Sequence, residues 1–409
     1  MPGADPKHND NPIVVTGLGA VTAFGWGLSP LWEGLRRGSP AIGPITRFDD
    51  ARHRTHLAAE VPFQEAPPAP SRRASWADRF AIAASREAMR QAGLTGPVPE
   101  AGVFFGSSTG GMLESEAYYA SLLTAGARRA RPSLLVAQQL NGPGDAVARD
   151  AGATGPVETV SSACSSGSMA IGAALRALRR GDVEVAIAGG SDSLCRLTYA
   201  GFNALRSVDE RPCRPFRKDR VGLSIGEGAG VLILESLARA RARGARPIAI
   251  LAGEAATCDA HHMTAPHPEG RGAAEAIETA LADGGVLRDE IDFVNAHGTG
   301  TPLNDLAEAR AMRRVFGSRT ADVPVTSTKA LIGHLLGAAG AVEGVATVLS
   351  LARREVHPMP AEGDPDEEIG LRLVLGTPLK LPRPTAALST NLAFGGASAT
   401  LVFRAAEAA

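Results

Sequence analysis

Val160-Ser161-Ser162-Ala163-Cys164-Ser165-Ser166-Gly167 sets one cysteine among small residues, between an extended segment and a long apolar run. Residues 158–161 are short and β-prone, whereas residues 164–178 include Met169, Ile171, Ala174, Leu175 and Leu178 and are too apolar all round for a surface helix. The pattern predicts a strand, a tight turn and a buried central helix. A cysteine in the first turn of such a helix meets unpaired backbone N–H groups and the positive end of the dipole, which favour thiolate over thiol. Its small neighbours leave room for a reactant. Taken alone, Cys164 reads more readily as a small buried hydrophobe, so the rest of the chain has to supply companions.

The 409 residues are 44% apolar and 21% charged, with a formal net charge of -1. This balance gives no whole-chain electrostatic case for nucleic acid or an anionic membrane. Cys164, Cys195, Cys213 and Cys258 lack metal-pair or disulfide-framework spacing, as expected in a reducing compartment. Residues 1–11 are polar without an apolar signal region, and no window approaches the span of about 18 uncharged apolar residues that crosses a bilayer. The expectation is a cytoplasmic protein with neither a membrane nor a nucleic-acid partner. The proline-rich tract at residues 61–70 reads as a surface connection, too short for a domain linker.

Along the chain, residues 12–16 predict a buried first strand, followed by Gly17-Leu18-Gly19 and a turn. The dinucleotide reading of these glycines fails, because Thr22 stands where the third glycine belongs and no acidic residue follows a second strand at the proper distance. Residues 76–91 predict an amphipathic helix and residues 101–106 a strand running into Ser107-Ser108-Thr109-Gly110-Gly111. Residues 183–190 give a strand that closes the Cys164 unit. After Arg246 the same order starts again: residues 247–252 form a strand, residues 292–297 deliver His297, and residues 323–328 deliver Lys329 ahead of an apolar helix reaching Leu351. The repetition implies an α/β fold with buried sheets, in two pseudo-equivalent halves. Residues 1–245 carry the cysteine, and residues 246–409 carry the histidines.

His297 opens His297-Gly298-Thr299-Gly300-Thr301-Pro302 at a predicted strand end, where α/β sheets tend to bind ligands. Lys329 and His334 sit in Lys329-Ala330-Leu331-Ile332-Gly333-His334-Leu335-Leu336-Gly337, apolar surroundings in which an uncompensated charge is costly. Glu343 in the same run supplies the simplest counter-charge, either as a plain structural ion pair or as part of a site. The loop Cys258-Asp259-Ala260-His261-His262, with His267, lacks a second ligand pair at zinc spacing and is not read as a metal site.

These residues carry a resemblance to a family. Ser-Ser-Ala-Cys164-Ser-Ser-Gly, Asn-Ala-His297-Gly-Thr-Gly-Thr, the Lys329 to His334 segment and Phe394-Gly395-Gly396, in this order, closely resemble the β-ketoacyl-[acyl-carrier-protein] synthases, over residues 13–403. The nearest subgroup is the elongating type II enzymes, including ketosynthase subunits of polyketide and aryl polyene pathways. The resemblance implies a thiolase-like fold, with central helices and sheets in layers, and a dimer of identical chains or with a chain-length-factor homologue. It implies that Cys164 takes an acyl chain from a phosphopantetheine-bearing acyl carrier protein as a thioester. His297 and His334, as neutral imidazoles, would stabilise the enolate left when malonyl carrier protein loses carbon dioxide. Backbone N–H groups of Cys164 and Phe394 would form the oxyanion hole. Lys329 with Glu343 would tune the histidines, and Thr299 and Thr301 would hold the pantetheine arm. No metal or organic cofactor is implied.

By the same resemblance Thr109, Leu134 and Phe202 fall where relatives line the acyl tunnel, Leu134 from the dimer-facing segment. Arg72 and Arg73, with Arg206, Arg211, Arg214, Arg217, Lys218 and Arg220, are candidates for docking an acidic carrier. Leu392, Ala393 and Ser398 depart from the family's C-terminal motif, and Thr109 stands where a larger aliphatic is common. These departures lean toward a specialised pathway rather than housekeeping fatty-acid elongation. A degradative thiolase would need a further cysteine near the C-terminus, and none follows Cys258. A non-catalytic chain-length subunit would lack Cys164, and a starter-type synthase would lack His334.

Overall fold

The computed structural model describes residues 11–71 and 73–406. Five strands come from the first part of the chain: β1 (Ile13–Thr22), β2 (Ala101–Gly106), β3 (Val157–Val160), β4 (Val185–Asp192) and β5 (Gly228–Ser236). Five more follow: β6 (Ala249–Cys258), β7 (Ile291–Asn295), β8 (Pro324–Thr326), β9 (Ala386–Leu392) and β10 (Ala397–Ala405). The first set is ordered β3-β2-β4-β5-β1 and the second β8-β7-β9-β10-β6, so the same path is traced twice. In each set the first two pairings along that path are parallel and the last two antiparallel. The two sets join where β1 meets β6 antiparallel, at Val14 with Ile250 and Val15 with Ala249.

Helices cover the sheets in layers. On the outside of the first set lie α1 (Trp76–Gln91) and α2 (Gly142–Ala151). Between the sets run α3 (Ser166–Arg180) and α6 (Ala339–Arg353), which pack on each other and on strands of both sets. Outside the second set lie α4 (Arg271–Asp283) and α5 (Pro302–Phe316). The largest hydrophobic cluster joins Ile171 and Leu175 of α3, Val342 and Val345 of α6, and the inward faces of β5 and β10. A helix walled by sheets on both sides has no polar face to spare, which is why both read as apolar all round. The stretch Leu336–Arg353 is long and apolar enough to cross a membrane, contrary to the expectation that no such window exists. Its mean hydropathy is 1.2, and 89% of it is buried inside the fold, where a central helix needs that composition.

Gly17 and Gly19 are not in a strand-to-turn corner: β1 runs through both to Thr22. A Cβ on Gly17 would lie 2.0 Å from the Ala88 carbonyl oxygen, and one on Gly19 would lie 1.9 Å from that of Ala84. The glycines thus let α1 settle directly onto the strand. Gln91 and Glu87 of α1 then accept from the Leu18 and Ala20 N–H groups at 2.8 and 3.1 Å. At its start α1 carries a reciprocal capping box between Ser75 and Asp78.

Candidate active site

Cys164 lies on the turn between β3 and α3. The serines around it build that turn: the Ser162 N–H donates to Ser166 Oγ at 2.8 Å, and Ser166 Oγ and Ser108 Oγ both donate to the Ala163 carbonyl, at 2.6 and 2.9 Å. Ala163 is held at φ 45°, a left-handed conformation uncommon for a residue with a Cβ. The turn is fixed from the other half as well. Gly167 faces α6 so closely that a Cβ would sit 2.7 Å from the Ala341 nitrogen.

Asp192, at the end of β4, accepts from Ser107 Oγ at 2.7 Å, from the N–H groups of Ser108, Thr109 and Gly110, and from the Gly337 N–H at 2.6 Å. One buried carboxylate therefore ties the turn after β2 to the segment carrying His334. The sequence reading missed Asp192, since its signal is a lone acid closing an apolar strand.

His297 follows β7 by two residues, and the Glu308 carboxylate on α5 holds it there. Glu308 accepts from the His297 and Gly298 N–H groups at 2.7 and 2.8 Å and from Thr390 Oγ1 at 2.9 Å. Burial pushes the Glu308 carboxyl up to about 7 against these donors. His334 is set by backbone bonds, its N–H to the Ser224 carbonyl at 2.7 Å and its carbonyl receiving the Gly226 N–H at 2.9 Å. The two imidazoles meet edge to face, centroids 5.2 Å apart. Burial first, and the charge of Lys329 second, hold both well below the ordinary histidine range, so both are neutral.

Their tautomers follow from their partners. His334 Nδ1 accepts the Leu336 N–H at 3.2 Å, which puts the proton on Nε2, a buried nitrogen with no partner among the described residues. His297 Nδ1 faces the Asn391 amide nitrogen at 3.4 Å, so its proton also belongs on Nε2. The pair presents two N–H donors, as a developing oxyanion requires.

Lys329 and Glu343 form a fully buried ion pair, Nζ to Oε1 2.5 Å. Asn391, also missed at the sequence level, completes it: its Nδ2 donates to Glu343 Oε2 at 2.7 Å while Oδ1 accepts from Ser168 Oγ at 2.6 Å. It sits in β9, a strand buried at every position, so no alternation along the strand singles it out.

Cys164 does not carry the low thiol expected from its place at a helix start. It precedes α3 by two residues and is 6% exposed; burial pushes its thiol up to about 11, against the pull of Lys329 and of the Phe394 N–H, which bonds the sulfur. Phe394 lies in the tight turn between β9 and β10, stacked on Phe202 at 5.6 Å. The Gly395 N–H donates to the Met263 carbonyl and the Gly396 carbonyl accepts from Asp259, so the loop at 258–270, rejected as a metal cluster, clasps the Phe394 turn.

A cavity of about 300 Å³ brings Cys164, His297, His334, Phe394, Phe202 and Arg206 together with Thr299 and Thr301, whose hydroxyls are 2.9 Å apart. Thr109 and Leu134 do not line it. The Thr109 hydroxyl is taken by Asp192 and the Ser193 carbonyl, and Leu134 lies on the half-exposed 3-10 turn Pro132–Gln138. Of the arginines expected to dock a carrier, Arg206 lies at this cavity, and Arg73 lines a different one. Arg72 lies outside the described residues. Arg217 and Arg220 are buried, and Arg220 pairs with Asp366. They are structural, because a guanidinium that closes interior carbonyls and carboxylates cannot also face a partner. Arg211 and Arg214 are engaged with Asp219 and Asp209.

Comparison with known proteins matches residues 10–240 to the N-terminal domain of the beta-ketoacyl synthase family and residues 248–361 to its C-terminal domain. The chain is 40% identical over 406 residues to a 3-oxoacyl-[acyl-carrier-protein] synthase 2 of Synechocystis sp., covering 96% of this chain and 97% of that protein. Among solved structures, the ishigamide ketosynthase/chain length factor aligns with TM-score 0.91 and 33% identity over 97% of this chain and 99% of that one. A type II polyketide ketosynthase solved in complex with its acyl carrier protein aligns with TM-score 0.87 and 29% identity, covering 97% and 99%.

Proposed function

The chain belongs to the β-ketoacyl synthase family, and on that premise we propose how its residues carry out the reaction. The protein is an acyltransferase that joins malonyl-acyl carrier protein to an acyl chain by decarboxylative Claisen condensation, in fatty-acid or polyketide biosynthesis. The observation that carries the assignment of roles is the convergence of the Cys164 thiol and two neutral Nε2–H imidazoles on one cavity.

Cys164 attacks the acyl-carrier thioester; the carrier thiol leaves and a new thioester forms on Sγ. With a thiol at about 11, the attack needs its proton removed as the bond forms; both imidazoles turn an Nε2–H to the cavity and cannot accept it there, so the proton passes to the departing carrier thiolate. Malonyl carrier protein then enters along Thr299 and Thr301. The two Nε2–H groups bind its thioester oxygen, carbon dioxide leaves, and the enolate carbon attacks the acyl carbonyl held under the Phe394 N–H. Cys164 departs as thiolate and takes up a proton from water. Lys329 keeps the histidines neutral, and Glu343 with Asn391 keeps Lys329 in place. The division into residues 1–245, with the nucleophile, and 246–409, with both histidines, follows the repeated strand order.

Arg206 is the docking residue best placed for a carrier, being exposed at the cavity mouth. A second subunit is supported by the open edge of β3 and by exposed Tyr119, Leu123, Val136, Val157 and Leu197 in neighbouring segments. Leu134 belongs to that face and would reach a partner's tunnel rather than its own.

Intact-mass analysis with a panel of acyl carrier proteins, followed by malonyl carrier protein, tests the assignment. The expected result is an acyl adduct on the protein, absent in Cys164→Ala, that is converted to a β-ketoacyl carrier. Acylation only beside a co-expressed homologue would make the partner a chain-length subunit, and no adduct under either condition would remove Cys164 from the reaction.

A further inference from the structure

A third histidine is buried behind the site and takes no part in the chemistry above. His357, 1% exposed, follows the short strand Glu355–Val356. Its Nδ1 lies 3.1 Å from Thr326 Oγ1 and its Nε2 lies 3.1 Å from Thr328 Oγ1. Burial lowers it to about 4, so the ring is neutral, with one N–H and one bare nitrogen.

The proton order along this chain is determined by its ends. The Thr326 hydroxyl donates to the His357 carbonyl at 2.8 Å, so towards the ring it can only accept, and Nδ1 carries the proton. Nε2 is then bare and accepts from the Thr328 hydroxyl at 3.1 Å, a hydroxyl that also lies 3.2 Å from Asn295 Oδ1. Thr328 Oγ1 in turn receives Asn295 Nδ2–H at 3.0 Å, and the same amide nitrogen donates to the Glu343 carbonyl at 3.1 Å. Thr347 Oγ1 closes the far end, 2.7 Å from that carbonyl.

The groups on this chain are neighbours of the reacting ones. Asn295 ends β7 two residues before His297, Thr328 immediately precedes Lys329, and the Glu343 carbonyl belongs to the residue that pairs with Lys329. One polar thread therefore sets the backbones of His297, Lys329 and Glu343 relative to one another. We propose that His357 is a positioning residue for the decarboxylation step, acting through the Thr328 hydroxyl and the Asn295 amide on the His297, Lys329 and Glu343 constellation. Cys164 lies on the opposite half and is held by Ser166, Ser108 and the Phe394 N–H, none of which is on this thread. Its acylation does not depend on His357.

This rests on the condensing reading above, and the test separates the two. Carbon dioxide release from malonyl carrier protein and acyl loading of Cys164 are measured for the wild type, His357→Leu, His357→Gln and Thr328→Val, with a melting temperature for each. The expected result is a loss of about tenfold in carbon dioxide release for His357→Leu and Thr328→Val, with loading nearly unchanged. His357→Gln, whose amide oxygen can accept from Thr328, recovers most of the rate. Equal losses in both steps that follow the melting temperature would make His357 a plain core residue, and a Thr328→Val variant as fast as wild type would break the thread. A wild type that neither loads nor decarboxylates would overturn the condensing reading itself.

Discussion

Cys164 combines a reactive position with an unreactive resting state. The left-handed Ala163 and the serine hydroxyls aim the sulfur into the cavity, yet burial raises the thiol to about 11, and Lys329 and the Phe394 N–H only moderate that rise. At neutral pH nearly all of it is thiol, and its thiolate fraction grows about tenfold per pH unit up to the alkaline range. Alkylation by iodoacetamide, followed by mass spectrometry at Cys164, should therefore rise with pH past 9 with no plateau near 8. Lys329→Met removes the charge that pulls the thiol down, so its curve should lie below the wild type's across the same range. A plateau near neutrality would mean that the resting enzyme holds a thiolate, and the transfer of the thiol proton to the departing carrier thiolate would fall. The sequence supplied the residue but not its charge state, because helix placement is local whereas the burial that raises the thiol exists only in the folded chain.

At the scale of elements, most strands and helices were legible from hydrophobic period, and α1 and β2 fall on the residues predicted for them. What was not legible depended on contact between elements. Gly17 and Gly19 carry no mark that distinguishes a turn glycine from one that admits a helix, and only the packing of α1 decides it. Glu308, Asn391 and Asp192 were hidden for the same reason: each takes its hydrogen-bond partners from other elements, which no local pattern shows. Gly19→Ala tests the first case. Its methyl would force α1 off β1 and loosen the Glu87 bond to the Ala20 N–H, an overpacking cost of about 1–3 kcal/mol. Chemical denaturation should show a loss of that size, whereas Gly244→Ala, at a surface turn with open space around it, should lose less, from its φ of 72° alone. A Gly19→Ala variant as stable as wild type would mean that α1 has room the packing does not show.

For the whole molecule, the repeated strand order explains why the site exists where it does. β3 and β8 are equivalent in the two sets, and each feeds a central helix: one delivers Cys164 and the other Lys329 and His334. β2 and β7 are likewise equivalent, and deliver the turn held by Asp192 and the His297 loop. The reacting groups meet because α3 and α6 start side by side, at Gly167 and Ala341. The same arrangement leaves neither half with a complete core, since Ile171 and Leu175 of α3 share one cluster with Val342 and Val345 of α6, and Arg179 reaches across to Asp283 at 2.9 Å. Stability is then a joint property, and the full chain should unfold in one calorimetric transition. Residues 1–245 expressed alone would bare the α6-facing side of α3 and the free edge of β1. All three tryptophans and all three tyrosines fall in that half, so its aromatic packing can be read directly by near-ultraviolet circular dichroism. The expected signal is weak, with strong binding of a hydrophobic dye and no cooperative melt. A sharp melt with a native-like aromatic spectrum would show that the first half closes its own core, and that the central layer joins two finished domains rather than making one.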